Sequence, residues 1–324
     1  MMYLMVAGGL IVLLVGGDIL VRGAVALAQR LGVTPLVIGL TVVGFGTSAP
    51  ELMVCVSAAL DGASELAIGN VVGSNIANVL LVLGLPALIF PIACNAAGLR
   101  RDAGLMLLVS AGFVALCLSG LIGRVDGMVM LALLFGFLIW SYVNAMRGDG
   151  GVDAIAEEIQ DLAGQSRSLA MSFALVLVGI VGLIGGAKLL VVGAVDIARA
   201  AGLSEAVIGL TLVAVGTSLP ELATSLVAAV RRQGDVAIGN VVGSNLFNLL
   251  GIMGVTAIVR PIPIPASFQS FDLWVMLAAA LLPLPFIARR TAIGRRAGAV
   301  LLLLYVGYVF ALFHGVAAGG AMKV

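Results

Sequence analysis

Long apolar runs recur along the whole chain, and they restrict it to the folds that a membrane permits. Runs such as LMLLVSAGFVALCL (105–118) are apolar on every face, whereas strands of a membrane β-barrel alternate apolar and polar residues. A spanning helix needs about 20 mostly apolar residues, since bilayer hydrocarbon is about 30 Å thick. The chain supplies ten such segments, at about 3–28, 35–60, 65–90, 99–120, 126–146, 169–198, 205–231, 235–259, 271–288 and 296–315.

The composition agrees with this interpretation. Of 324 residues, 62% are apolar and 10% are charged, whereas soluble domains carry about 25% charged residues. The net charge of +1 gives no field that would attract nucleic acid, and no feature indicates an obligatory protein partner. The sequence therefore predicts an all-α membrane protein whose surroundings are the lipid bilayer.

Two blocks of sequence occur twice, 170 positions apart. GLTVVGFGTSAPE (39–51) and GLTLVAVGTSLPE (209–221) agree at 9 of 13 positions, and AIGNVVGSNIANVLLVLG (67–84) and AIGNVVGSNLFNLLGIMG (237–254) agree at 12 of 18. Each half holds five predicted spans, an odd number, so the second copy enters the membrane from the opposite side. We therefore predict ten transmembrane helices as two inverted five-helix repeats, residues 1–146 and 169–324.

The polar segment 147–168 separates the two repeats. It carries five acidic residues but lacks the spacing of a calcium-binding loop, so we predict a solvated cytoplasmic linker. With the N-terminus outside, the inward loops hold eleven basic residues and the outward loops hold four. The inward residues are Arg30, Arg100, Arg101, Arg147, Arg167, Arg231, Arg232, Arg289, Arg290, Arg295 and Arg296, and the outward residues are Arg124, Arg199, Arg260 and Lys323. The positive-inside rule then predicts a cell (inner) membrane protein with both termini extracytoplasmic.

The first repeated block places an acid inside an apolar span in each half. A carboxylate at the bilayer centre costs at least ~2.5–3.5 kcal/mol, so Glu51 and Glu221 need a cation. Pro50 has no N–H and its ring crowds the carbonyl of Gly46, so we expect a broken helix with a freed carbonyl there, as at Pro220. Broken helices are tolerated at membrane depth where they line a cavity.

The remaining oxygens of the predicted site come from hydroxyl and amide side chains. Thr47 and Ser48 lie four and three residues before Glu51, on one helix face. Ser74 and Asn78, and their copies Ser244 and Asn248, are again four residues apart. Such a set suits a hard cation such as Ca²⁺ or Na⁺, whereas zinc and copper favour His and Cys, which are scarce here.

At these residues the chain resembles the calcium/cation antiporter superfamily, and within it the sodium/calcium exchanger branch. The paired G-T-S-x-P-E and G-S-N-x-x-N motifs carry the resemblance, which spans both halves. It implies ten helices, with ions bound between the second, third, seventh and eighth. It also implies the transport sites Thr47, Ser48, Glu51, Ser74, Asn78, Thr217, Ser218, Glu221, Ser244 and Asn248.

The resemblance further implies that Glu51 and Glu221 bind Ca²⁺, with the carbonyls of Thr47 and Thr217. One position departs from the family pattern, because many exchangers carry Asp where this chain has Asn248. The proton-coupled branch more often has G-N-x-x-E where this chain has G-T-S-x-P-E, which favours sodium coupling.

These observations predict a secondary antiporter, without a cofactor, that exchanges Na⁺ for Ca²⁺ at the midplane by alternating access. The alternative coupling ion is H⁺ or another cation, since two protons or two Na⁺ neutralise two carboxylates as well as one Ca²⁺ does. A passive cation channel is a second alternative, against which the single-chain inverted pair argues. An enzyme is disfavoured, because the sequence has no nucleotide loop, nucleophile elbow or His-based metal motif. The Gly-rich first and sixth spans are the predicted sliding gate.

Overall fold

The computed structural model describes residues 1–147, 168–200 and 214–321, and most of these residues are helical. The helices are α1 (Met2–Leu31), α2 (Pro35–Thr47), α3 (Ala49–Leu60), α4 (Ser64–Ile89), α5 (Leu99–Cys117), α6 (Arg124–Arg147), α7 (Leu169–Ala200), α8 (Ala214–Thr217), α9 (Leu219–Val230), α10 (Gly234–Val259), α11 (Phe268–Arg289) and α12 (Arg295–Ala321). Two short strands, β1 (Leu121–Ile122) and β2 (Ile262–Pro263), pair antiparallel.

Seven of the described helices are long and apolar enough to cross a membrane, and the bent pair of α2 and α3 makes an eighth. Two of the ten predicted spans are outside this set. Helix α5 has 19 residues but carries Arg100, Arg101 and Asp102 in its first turn. The predicted span 205–231 is described only from residue 214, where α8 and α9 lie, and most of the predicted linker 147–168 is likewise outside the described residues.

Helices α4 and α10 form the centre of the molecule. In their most apolar stretches, 72% of the α4 residues and 89% of the α10 residues are buried, compared with 33% for α1 and 28% for α7. Both central helices carry the second repeated block. This block is therefore surrounded by protein, while α1 and α7 lie at the periphery.

Helices α1 and α7 pack along each other through glycines spaced seven residues apart. These are Gly9, Gly16 and Gly23 on α1 and Gly179, Gly186 and Gly193 on α7. A Cβ atom on Gly186 would lie 2.7 Å from the backbone nitrogen of Leu13, and one on Gly9 would lie 2.5 Å from that of Leu190. The two backbones approach so closely that only glycine fits, as in other small-residue contacts between membrane helices.

The helix containing the first repeated block is broken at its serine in both halves. Ser48 separates α2 from α3 with φ −83° and ψ 4°, and Ser218 separates α8 from α9 with φ −88° and ψ 6°. The axes of α2 and α3 differ by 44°. Pro50 and Pro220 each occupy the second position of the following helix, which proline tolerates because its missing N–H needs no partner there. The predicted break is confirmed, and it is centred on Ser48.

The central helices also contain π-helical turns, which the sequence analysis did not predict. One spans Asn78–Val82 in α4 and another spans Phe247–Ile252 in α10. A π-turn inserts an extra residue into the helix and so changes which side chains share a face. These turns begin at Asn78 and one residue before Asn248, which are both predicted site residues.

Candidate functional site

The two helix breaks bring an acid from each half into the interior. Glu51 is the third residue of α3 and Glu221 the third residue of α9, and their exposed fractions are 1% and 0%. The hydroxyl of Ser48 donates to Oε1 of Glu221 over 3.2 Å. Since Ser48 is in the turn that precedes Glu51, this bond joins the first helix break to the acid of the second.

The hydroxyl of Thr47 joins the first break to α10. Its Oγ1 lies 3.2 Å from Oδ1 of Asn240, to which it donates, and 3.5 Å from Oγ of Ser244. Oγ of Ser244 donates to the carbonyl of Gly44 over 3.4 Å. Thr47 and Ser244, which come from different halves of the chain, are therefore in contact.

The amide of Asn78 connects α4 to α10. Its Nδ2 donates to Oδ1 of Asn245 over 3.1 Å. Ser74 and Asn248 are buried on the same two central helices, with exposed fractions of 4% and 1%. Ser218 is buried and Thr217 is half-buried, beside the second break. Direct hydrogen bonds between predicted residues thus join Thr47 to Ser244 and Ser48 to Glu221.

Several buried oxygens at these positions have no hydrogen-bond donor among the residues that the structure describes. They are Glu51 Oε2, Glu221 Oε2, Asn78 Oδ1, Asn248 Oδ1 and Ser218 Oγ. Buried polar atoms are nearly always paired, so a group of unpaired oxygens calls for a further ligand. Carboxylate, amide and hydroxyl oxygens are the ligands of Ca²⁺, which takes six to eight of them. The donor set fits a hard cation.

The described part of the chain holds no cluster of acidic, histidine or cysteine side chains that could bind a metal ion. No group of three or more His, Cys, Asp or Glu residues lies close enough together there to hold a metal ion. Cys55, Cys94 and Cys117 are free and buried. A site with two carboxylates and several neutral oxygens differs from such a cluster, because most of its ligands carry no charge.

Three side chains that the sequence analysis did not select are hydrogen-bonded into this region. Asn240 donates to the backbone carbonyl of Glu221 over 3.3 Å and to Oγ of Ser225 over 3.1 Å, and Asn245 accepts from Asn78. A signal for the two asparagines was present, because AIGNVVGSN is identical in both copies and contains them. Asn240 and Asn245 were missed because, on the assumption of a regular helix, only residues four apart in this block were chosen.

Replacing Asn240 by Leu should lower the melting temperature and reduce ion transport strongly. The substitution leaves the Thr47 hydroxyl, the Glu221 carbonyl and the Ser225 hydroxyl with fewer partners, and each unsatisfied buried group costs about 1–3 kcal/mol. The repeat supplies the control, Asn70→Leu, because within the described ranges Asn70 donates only to the weak acceptor Sγ of Cys55. Equal losses of melting temperature in the two variants would contradict the positioning role of Asn240.

The chain matches known proteins over most of its length. The family model described as sodium/calcium exchanger protein matches residues 1–143 and again residues 171–314. The sodium/calcium exchanger MaX1 of Methanosarcina acetivorans is 33% identical over an alignment of 344 positions, which covers 96% of this chain and 98% of that protein. The inner membrane protein YrbG of Escherichia coli is 36% identical over 277 residues, or 85% of each chain.

Solved structures give the same result. The sodium-calcium exchanger NCX_Mj, soaked with zero Na⁺ and Ca²⁺, superposes with a TM-score of 0.82 at 35% identity, covering 95% of this chain and 97% of that one. The same exchanger soaked with 10 mM Na⁺ and zero Ca²⁺ superposes with a TM-score of 0.83 at 34% identity, covering 96% and 100% of the two chains. The likeness therefore includes both the fold and the sequence.

Proposed function

This chain belongs to the sodium/calcium exchanger protein family, and from that premise we propose that it is a secondary antiporter that exchanges Na⁺ for Ca²⁺. The family comprises exchangers rather than enzymes. The chain's own residues supply the binding chemistry, because the candidate site consists of side-chain and backbone oxygens and requires no cofactor. Both ions are substrates that pass through this site.

One observation carries the proposal. Two fully buried carboxylates, Glu51 and Glu221, are contributed by different halves of the chain, and each has one oxygen without a donor among the described residues. Two unneutralised carboxylates in a membrane interior are costly. One Ca²⁺ or two Na⁺ bound there would neutralise them, and the neighbouring amide and hydroxyl oxygens would complete a hard-cation shell.

We propose that the architecture is ten transmembrane helices in two inverted five-helix repeats, with both termini extracytoplasmic in the cell membrane. Support comes from the matching helix breaks at Ser48 and Ser218 and from the π-turns at equivalent places in α4 and α10. The family model also matches each half separately. In inverted repeats of this kind, substrates bind near the midplane where the halves meet.

Transport in this scheme proceeds by alternating access. A loaded site is electrically neutral or nearly so and can be enclosed, whereas an empty site holding two carboxylates resists closure because charge in a low-dielectric interior is costly. Helices α1 and α7 form the moving pair. Their glycine contacts tie them to each other, and their apolar stretches are much less buried than those of α4 and α10.

The coupling ion is Na⁺ in this proposal, and H⁺ is the alternative. Because residue 248 is an amide, Asn248, the site contains only the two carboxylates of Glu51 and Glu221. Two protons would neutralise them as well as two Na⁺ would, so both coupling ions are tested. If three Na⁺ exchange for one Ca²⁺, one net charge moves per cycle, worth ~2.3 kcal/mol per 100 mV. A sodium-coupled exchanger of that stoichiometry would respond to membrane potential.

Uptake of radioactive Ca²⁺ into proteoliposomes tests the proposal. With Na⁺ inside and none outside, we expect rapid uptake that saturates with Ca²⁺ and disappears when K⁺ or choline replaces internal Na⁺. Uptake driven by an imposed pH gradient without Na⁺ would identify the proton-coupled alternative. Ca²⁺ entry that needs no counter-ion would instead indicate a passive channel and overturn the antiporter.

A further inference from the structure

An ion pair fastens the peripheral helix α1 to the end of the site helix α9. Arg231, the residue after α9, pairs with the carboxylate of Asp18 in the middle of α1, and Arg22 also contacts Asp18 over 2.9 Å. All three side chains are partly exposed. The bond between Arg231 and Asp18 is the one that links two different helices, because Arg22 is on α1 itself.

Helix α1 is also packed against α9 next to this ion pair. A Cβ atom on Gly17 would lie 3.3 Å from the carbonyl oxygen of Ala223 and 3.3 Å from a methyl carbon of Val227. Ala223 is accordingly buried, with an exposed fraction of 7%. The ion pair thus lies beside a close helix contact.

The internal repeat carries the same pair of positions with the charges exchanged. Adding or subtracting 170 converts Asp18 into Lys188 on α7 and Arg231 into Asp61, the residue after α3. The first pair has its acid on α1 and its base after α9, whereas the second pair has its base on α7 and its acid after α3. The charges are opposite in both pairs, so each pair could form a salt bridge. The same offset aligns the two repeated blocks, so these are equivalent positions of the two halves.

The second pair, Lys188 and Asp61, does not form a salt bridge among the described residues. Lys188 and Asp61 are both exposed, and neither forms an ion pair with any residue of the described ranges. The α3 residue equivalent to Ala223 is Met53, whose exposed fraction is 71%. Helix α1 therefore covers α9, whereas α7 leaves the corresponding face of α3 uncovered.

We propose that these two pairs are alternating latches of the transport cycle: Asp18 with Arg231 holds the conformation seen here, and Lys188 with Asp61 holds the opposite one. The inference rests on the proposed alternating-access function. Transporters built from inverted repeats change state when one part of the fold moves against the other around a fixed site. If the two similar halves of this chain exchange conformations in that movement, Lys188 and Asp61 come together as Asp18 and Arg231 separate. Two latches of similar strength keep both states accessible, because an equilibrium shifts only by the difference between them.

Chemical cross-linking tests the proposal without measuring transport. In a background with Cys55, Cys94 and Cys117 replaced by Ala, Asp61→Cys and Lys188→Cys are joined by a short bifunctional thiol reagent, and linked peptides are quantified by mass spectrometry. Adding Arg231→Gln should raise the cross-linking yield about fivefold, since it removes the partly exposed ion pair that holds the other state. Arg231→Lys keeps the charge and should return the yield toward its starting value.

Arg22→Gln is the matched control. It removes a contact to the same carboxylate, but that contact is within α1 and does not hold two helices together, so the yield should not change. An equal yield in the Arg231→Gln and Arg231→Lys proteins, or an equal rise in the Arg22→Gln protein, would overturn the latch. Absence of gradient-driven Ca²⁺ flux in wild-type vesicles would refute the proposed function, and the cross-linking result would still be interpretable.

Discussion

Replacing Glu51 or Glu221 by Gln should abolish Ca²⁺ exchange while leaving the protein folded. Gln keeps the size and one oxygen of the side chain, so the Ser48 hydroxyl can still donate to residue 221. What is lost is the charge that faces the cation. Leaving a buried charge without its partner costs about 3–5 kcal/mol, so we expect Ca²⁺ uptake to fall at least about 100-fold.

The same substitutions should not lower the thermal stability of the protein. In a Ca²⁺-free and Na⁺-free buffer the two buried carboxylates lack cations, and a neutral amide is less costly to bury than a carboxylate. The melting temperature of each Gln variant in that buffer should equal or exceed that of the wild type. The stabilisation that Ca²⁺ gives the wild-type protein by binding its folded form should disappear in both variants.

Glu65→Gln provides the control for both measurements. Glu65 lies in the first turn of α4 and is exposed, so its substitution removes the same charge from a solvated position. Uptake and its Na⁺ dependence should remain at the wild-type level. Wild-type Ca²⁺ uptake by either the Glu51 or the Glu221 variant would show that these acids are not the ion ligands.

Much of the site could be predicted because its residues violate the rules for apolar helices. Glu51 and Pro50 are anomalous inside a membrane span, and their recurrence as Glu221 and Pro220 identified a broken helix in each half. The structure confirms both breaks. It centres the first on Ser48, because proline is accommodated in the first turn of a new helix, so the residue that leaves helical geometry precedes it.

The contacts between halves could not be predicted from the repeat. Internal similarity shows that Asn240 corresponds to Asn70, but it does not show that Asn240 reaches Thr47 in the other half. Helical periodicity also fails at a π-turn, where the faces of α4 and α10 are rotated beyond the expected positions. Asn245, which accepts a hydrogen bond from Asn78 where the π-turn of α4 begins, was missed because only residues four apart in each block were selected.

Equivalent positions also have different surroundings. Asn240 is hydrogen-bonded to Ser225, whereas Asn70 contacts Cys55. In the proposed alternating-access cycle the two similar halves occupy different environments in any one state, and a sequence that serves both states does not specify which half is closed. The close packing of α10 on α2 is another contact that the repeat does not predict, because the equivalent glycine of the first copy, Gly73, has no such contact among the described residues.

Gly243→Ala should destabilise the protein and slow Ca²⁺ transport. A Cβ atom at this position would lie 2.3 Å from the carbonyl oxygen of Leu40 and 2.7 Å from its carbonyl carbon, so the backbone of α2 or α10 must move. Overpacking of this kind typically costs 1–3 kcal/mol, which a thermal melt would register as a drop of several degrees. The displacement occurs beside the contacts of Ser244 with Gly44 and Thr47, so Ca²⁺ uptake should fall at least about tenfold.

The repeat again provides a matched control for the stability measurement. Gly73 occupies the equivalent position in the first copy of AIGNVVGSN, and a Cβ atom there would meet no described atom within 4 Å. Gly73→Ala should therefore leave the melting temperature unchanged or raise it slightly, since Ala favours helix by about 1 kcal/mol over Gly. Similar melting temperatures for the Gly243→Ala and Gly73→Ala proteins would mean that α10 does not pack on α2 as tightly as the structure shows, and that the site formed between them is looser than its hydrogen bonds indicate.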